Sequence, residues 1–352
     1  MKKLILLFLF ACFVSCERKP LYLQGDIALS ININVETDLD VLWDKDWRKQ
    51  LIYDWDESIH GTIGYTKPGE VNVIFFDGNA LLDKKTIHVD MRSLVDVELN
   101  RTYDILIHNE TNGIVSSYEG GRYYVTSPIE GTTFSTEISD KYINVRQPGE
   151  IFSQRLRNIY LSDLYEDYES IYENGKIVYV YNIDAKLEPV SYIYIVQFVV
   201  INDDGSETIE AREIKSMTVS GISARKNLLT GKALYTGLTQ ISTTDIKEGQ
   251  QKGDSLLFAS RVIVLDVNFE YENSSWNTQI DNRYYTIVNV NTCNYGNVTG
   301  TLDITRQIKN NPKGGIITVR ILNSDLKKGG GTHSGFGVDI TEWEQHIIDI
   351  DF

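Results

Sequence analysis

Between Ile27 and Val35 every second residue is a branched aliphatic: Ile27, Leu29, Ile31, Ile33 and Val35, with Ala28, Ser30, Asn32 and Asn34 between them. Side chains alternate between the two faces of an extended chain but recur every 3.6 residues on a helix, so only a strand puts these five on one face. Similar short runs rich in Val, Ile, Thr and Tyr fill the rest of the chain, which holds 21 Tyr and only 6 Pro. That is the composition of half-buried sheets. Turn signals such as Asp77-Gly78-Asn79, Gly120-Gly121, Asn174-Gly175 and Asp204-Gly205 punctuate the runs at the intervals a β-sandwich requires. The fold class expected is all-β.

The runs fall into two sets. A first domain over 25–146 has strands expected at 27–35, 70–76, 86–90, 101–108, 122–126 and 133–138, with an acidic, Trp-rich stretch at 38–58. A second domain over 189–352 has strands at 192–201, 207–219, 256–269, 284–291, 298–308, 316–322 and 344–352. The strand at 256–269 is apolar on both faces, as a central strand is, and the last run places Ile348, Ile350 and Phe352 on one face. Between the domains, 147–188 reads as a connection opened by Pro148-Gly149. Leu156, Ile159, Tyr160 and Leu164 have the spacing of a short helix, and Asn174-Gly175 predicts a hairpin.

The extreme N-terminus is not part of this fold. Lys2 and Lys3 precede an unbroken apolar run over 4–14, then Ser15 and Cys16. A cationic start, a short apolar core and a small residue describe a secretory signal peptide, and the run is shorter than the roughly 20 residues a membrane span needs. Phe13-Val14-Ser15-Cys16 resembles a bacterial lipobox, with Phe13 where Leu is usual, and that resemblance implies that Cys16 is acylated and becomes the new N-terminus. Residues 1–15 are then the signal peptide and 16–24 a lipidated tether. A plain secreted protein with an incidental Cys16, or an uncleaved anchor, are the other readings.

The chain carries a formal net charge of −15, and losing Lys2 and Lys3 makes the mature protein more negative still. Nucleic acid is a poor partner for such a chain, since binding it requires clustered Lys and Arg. Attachment to a membrane would fall to the lipid, because anionic head groups repel an acidic surface. Of the three cysteines, Cys12 leaves with the signal and Cys16 carries lipid, so Cys293 has no partner for an internal disulfide and is expected as a small buried residue in a strand.

Catalytic constellations are scarce. His60, His88, His108, His333 and His346 are scattered without metal-ligand spacing. Asp38, Asp40, Asp44 and Asp46 suggest calcium, but the stretch lacks the glycine and the terminal bidentate acid of an EF-hand loop, and it reads as a solvated loop. The glycine-rich run 329–335 is neither a P-loop nor a nucleophile elbow. Asp254-Ser255-Leu256 fits a loose O-glycosylation triplet and also a strand start. Trp43, Trp47 and Trp55 are candidates for a glycan-stacking platform, with core packing the plainer role. No metal, cofactor or enzymatic activity is expected.

Four phrases resemble fimbrillin-like two-domain lipoproteins: Leu302-Asp303-Ile304-Thr305-Arg306-Gln307-Ile308; Phe336-Gly337-Val338-Asp339-Ile340-Thr341-Glu342-Trp343 before the terminal run; Val219-Ser220-Gly221-Ile222-Ser223-Ala224; and Arg101 to Asn109, with Arg-Thr replacing the usual Gly. Their order and spacing carry the resemblance over most of the mature chain. It implies two tandem transthyretin-like β-sandwiches behind a lipobox, in a subunit of fimbriae at the cell outer membrane that joins other fimbrial subunits by strand exchange. The elements expected to take part are Ile27, Leu29, Ile31, Ile33 and Val35 at one end and Ile348, Ile350 and Phe352 at the other. The first domain shows no distinctive cleavage loop, which favours an anchor or accessory subunit over a polymerising one. The alternative is a lipid-anchored glycan- or ligand-binding protein of a surface uptake system, with the tryptophans as its contact.

Overall fold

A computed structural model describes residues 26–43, 46–135, 140–235, 238–270, 283–328 and 335–338. The expected signal peptide, Cys16 with the expected tether, and the terminal run with Ile348, Ile350 and Phe352 lie outside them. The fold is all-β; among the described residues the strands gather into four sheets, with only short helices between them.

The N-terminal sheet runs, from edge to edge, through Ala80–His88, Glu70–Asp77, Arg101–His108, Phe152–Leu161, Lys176–Pro189, Asp26–Val35 and Leu94–Asp96, with Glu169–Glu173 added as a hairpin partner of Lys176–Pro189. Its period-two residues divide cleanly. Leu29, Ile31, Ile33, Val71, Val73, Phe75, Ile105 and Ile107 face one core. Ile74, Phe76 and Leu106 face another, shared with Tyr123, Val125, Leu228 and Leu265.

The central sheet is Lys247–Lys252, Ser255–Val264, Tyr192–Ile201 and Gly315–Leu322. Both faces of Tyr192–Ile201 are buried. Tyr194, Val196, Phe198 and Val200 pack against Val219, Val288, Val290, Val298 and Leu302 of an outer sheet, while Ile193 and Ile195 pack into the core under the N-terminal sheet. Ser255–Val264 is paired on both sides, the placement its two apolar faces imply, although it stops at Val264.

Strand pairing does not respect a boundary at 146. Arg122–Thr126 pairs with Arg225–Asn227 in a small sheet, and Asp140–Val145 pairs in parallel with Thr239–Thr243 in the outer sheet. Residues 115–145, expected in the first domain, therefore join strands from the second half. Conversely, the stretch 147–188, expected as a connection, supplies two inner strands of the N-terminal sheet, Phe152–Leu161 and nearly all of Lys176–Pro189. Period-two patterning marks a residue's face but not the strand it pairs with.

Two local expectations are corrected. Leu156 and Ile159 lie in a strand, not a helix. Their three-residue spacing comes from a bulge in the pairing with Arg101–His108, where Asn158 takes φ 56°, and both still face the first core. The strand expected over 298–308 ends at Asp303, and Thr305–Asn310 is helical. The hairpin at Asn174-Gly175 is present. Both residues are left-handed, φ 50° and 83°, as a type I′ turn demands.

Candidate strand-pairing site

The strand Asp26–Val35 lies parallel to Lys176–Pro189 in an unbroken register from Asp26 opposite Val178 to Val35 opposite Leu187. Leu29, Ile31 and Ile33 are buried, at 0%, 4% and 7% exposure, and Ile27 and Val35 are half-buried. Removing each of the three inner side chains from water contributes about 2 kcal/mol. On the opposite face Ala28 packs with Val178 and Val180. Polar pairs run along the exposed ladder: Asn32 Nδ2 donates to Asp184 Oδ1 at 2.9 Å, and Lys186 Nζ meets Glu36 at 3.0 Å. That lysine holds the Glu36 carboxyl below the usual carboxylate range.

The two edges of this strand differ. Glu36 N–H donates to Leu187 O at 2.9 Å, which fixes the parity: in a parallel ladder the backbone groups of alternate residues point to the same side. Those of Ser30, Asn32 and Asn34 point to Lys176–Pro189, and those of Leu29, Ile31, Ile33 and Val35 point the other way. On that other side Leu94–Asp96 pairs only with Ala28, Leu29 and Ser30. No strand among the described residues covers Ile31 to Val35. The result is a stretch of open sheet edge whose side chains are already anchored in a core, the geometry that accepts an added strand.

The tryptophans sit elsewhere. Trp43 and Trp47 are buried at 7% and 6% exposure, with rings 87° apart and centroids at 5.4 Å, so this pair presents no flat exposed ring face. Trp43 packs over the close approach of Gly314 to Ile193, where φ is 100° and a Cβ would stand 2.8 Å from the indole nitrogen. Trp55 is half-buried between Tyr53, His60 and the Lys247 ammonium. Two carboxylates of the same stretch are committed locally. Asp38 caps Leu39–Leu42 by accepting from Asp40 N–H, and Asp40 accepts from Trp47 Nε1 at 2.8 Å and pairs with Arg48.

Cys293 is exposed rather than buried, because Tyr285–Thr292 ends one residue before it and Cys293 starts the turn. His108, in contrast, is fully buried. Its ring lies 3.1 Å from Tyr123 Oη and 2.9 Å from Asn109 O, and burial pushes its pKa down to about 4.

Sequence reasoning passed over two glutamines that staple the structure. Gln197 has 0% exposure in the otherwise apolar run Tyr192–Ile201. Its Oε1 accepts from Ile52 and Tyr53 N–H at 2.9 and 3.2 Å, and its Nε2 donates to Gln50 O and Thr318 Oγ1 at 2.6 and 2.7 Å. Gln307, on the helix that replaced the expected strand, bonds both backbone groups of Thr318, at 2.9 and 2.8 Å. It thereby substitutes for a strand beside Gly315–Leu322. A lone amide amid apolar neighbours was the available signal for Gln197.

The sequence matches no family profile and no curated protein. Solved structures do resemble the fold. One is a candidate adhesin from Bacteroides ovatus, at 13% identity and TM-score 0.47, covering 91% of this chain and 95% of the other. Another is a candidate adhesin from Bacteroides thetaiotaomicron, at 8% identity and TM-score 0.45, covering 85% and 93%. A third is the fimbrial anchor protein Mfa2 from Porphyromonas gingivalis, at 9% identity and TM-score 0.42, covering 84% and 90%.

No helix among the described residues is long and apolar enough to cross a membrane.

Proposed function

We propose that this protein is a lipid-anchored fimbrial subunit of the anchor or accessory type, non-enzymatic, which joins neighbouring subunits by β-strand pairing. The observation that carries the reading is the open edge at Ile31 to Val35, on a strand that begins ten residues after the lipobox-like cysteine. Acylation of Cys16 would place that edge close to the outer-membrane surface, where a fimbrial base must be held. The buried Leu29, Ile31 and Ile33 suit either of two roles. The strand can stay and offer its outer edge, or it can leave and open the long edge of Lys176–Pro189 together with a groove lined by Ile105, Ile107 and Leu187. The terminal run with Ile348, Ile350 and Phe352 is the natural donor from one subunit to the next.

The glycan-binding alternative has less behind it at the tryptophans, since Trp43 and Trp47 lie in the core.

Immunogold electron microscopy of cells with and without the gene tests the proposal. Label at the base of fimbriae, and loss or shedding of fimbriae without the gene, are the expected results. Label spread over the surface with fimbriae unchanged would sink it. In the same cells Cys16→Ala should release the protein from the membrane fraction.

A further inference from the structure

The hairpin at Asn174-Gly175 carries apolar side chains past the end of the core. On Lys176–Pro189, Ala185 and Leu187 are buried under the N-terminal sheet, with Tyr181 and Ile183 packed against the same core. Alternation puts Tyr179 and Ile177 on that face too. Tyr172 stands directly opposite Ile177 across the hairpin. At this level the core has ended: Tyr172 is 77% exposed and Ile177 52%. An opposed pair, one aromatic and one β-branched, thus faces solvent at the tip. Single exposed apolar residues are ordinary on a protein surface, so the pair alone names no partner. Its place in the chain does.

The tip is fastened to the start of Asp26–Val35. That strand begins at the hairpin end of its partner, with Asp26 opposite Val178. Lys176 Nζ is 3.2 Å from Asp26 Oδ2, and on the other face Ile171 packs with Ala28, Val178 and Val180. Cys16 lies ten residues before Asp26, and a chain of that length reaches at most about 35 Å. A lipid on Cys16 therefore holds this end of the sheet near the bilayer. The turn is preset, with Asn174 at φ 50° and Gly175 at 83°, so holding the tip costs little backbone entropy. Tyr and Ile suit a bilayer interface, the phenol at headgroup level and the aliphatic chain beside the hydrocarbon. Glu173 and Lys176 project from the opposite face, and Lys176 is paired with Asp26, so a zwitterionic surface fits better than an anionic one.

We propose, resting on the reading of Cys16 as acylated, that this tip docks on the lipid surface holding the anchor, with Tyr172 and Ile177 entering the headgroup layer. Burying one aliphatic side chain favours the docked orientation about thirtyfold. That suffices for a tethered molecule, whose docking is intramolecular, and is far too little to hold a free one. Docking fixes how the protein stands: the open edge at Ile31 to Val35 begins roughly 15 Å further along the strand, away from the lipid.

The test tethers the full mature chain, carrying Cys293→Ser, through its Cys16 thiol to maleimide-bearing lipid in phosphatidylcholine vesicles. Docking is then read whether or not cells acylate Cys16, and the mass of the N-terminal peptide from cell membranes reads acylation separately. Tyr172→Trp reports contact through quenching by brominated acyl chains, against the same chain without the added Trp. Glu188→Trp is the control, exposed at the far end of the same strand, roughly 35 Å from the tip. The expected result is strong quenching of Tyr172→Trp and none of Glu188→Trp. Adding Ile177→Asp, which removes the preference of about thirtyfold, should abolish the quenching and leave the melting transition unchanged. Equal quenching at the two positions, or quenching of Tyr172→Trp that survives Ile177→Asp, would overturn the proposal. Absence of quenching at Tyr172→Trp in the tethered chain would also overturn it and leave the tip to a protein partner.

Discussion

Ile31 stands opposite Ile183 in a parallel ladder, and both side chains enter the same core. The backbone groups of Ile31 that do not face that ladder point to a side where the neighbouring strand has already ended. One residue thus anchors the strand inward while presenting outward an edge that no strand among the described residues pairs. The pairing proposed for this protein needs no rearrangement of its core if the strand stays in place.

The staple at Gln197 should be a main brace of the stretch 50–53. Gln197→Leu leaves the Ile52 and Tyr53 N–H groups and the Gln50 carbonyl without partners, at a cost of about 3 kcal/mol. Hydrogen exchange checks the assignment: amide protection at Ile52 and Tyr53 should fall further than at Val262, in the sheet that carries Gln197.

His108 sets a pH dependence. Its folded pKa, about 4, lies below the ordinary histidine value of 6.5, so between these values the unfolded chain holds a proton that the folded one refuses. Its stabilising contribution is complete above the unfolded value and falls as pH drops toward 4, by on the order of 3 kcal/mol. Denaturant midpoints across that window should fall with pH in the native chain. His108→Gln should flatten the slope, whatever its effect at neutral pH.

The buried Lys226–Asp266 pair should reveal itself by asymmetry. Lys226→Met strands a buried carboxylate and should cost about 3 kcal/mol or more. The double change Lys226→Met with Asp266→Leu should recover part of that loss, as a thermal melt of the three proteins would show.

Cys293 should react with a thiol reagent in the folded protein without denaturant, because it is exposed at a turn. A thiol that reacts only on unfolding would contradict that placement.

Much of this architecture was legible in the residues. The alternation from Ile27 to Val35 identified the strand and its buried face, and Asn174-Gly175 identified the hairpin. Partners were not legible. The pairing of Asp140–Val145 with Thr239–Thr243 depends on long-range closure that leaves no local trace, so residues 115–145 read as belonging to the first domain. The bulge at Asn158 imitated a helix because one extra residue turns a two-residue spacing into three. Cys293 misled because a cysteine's tendency to be buried says nothing of where the strand stops, and Tyr285–Thr292 ends just before it. The open edge was out of reach for a related reason: it exists only because Leu94–Asp96 is short, and strand length on a neighbour is not encoded in the strand itself.

The parity of the ladder supplies the most direct test of strand pairing at this edge. The N–H of Val35 points outward, so Val35→Pro removes an edge donor and leaves the inner ladder intact, whereas Asn34→Pro breaks a bond to Lys176–Pro189. The measurement is the amount of fimbrial subunit that co-purifies with this protein from cells. Val35→Pro should abolish co-purification while its melting transition stays close to that of the native chain. Undiminished co-purification with the Val35→Pro protein would contradict pairing at this edge.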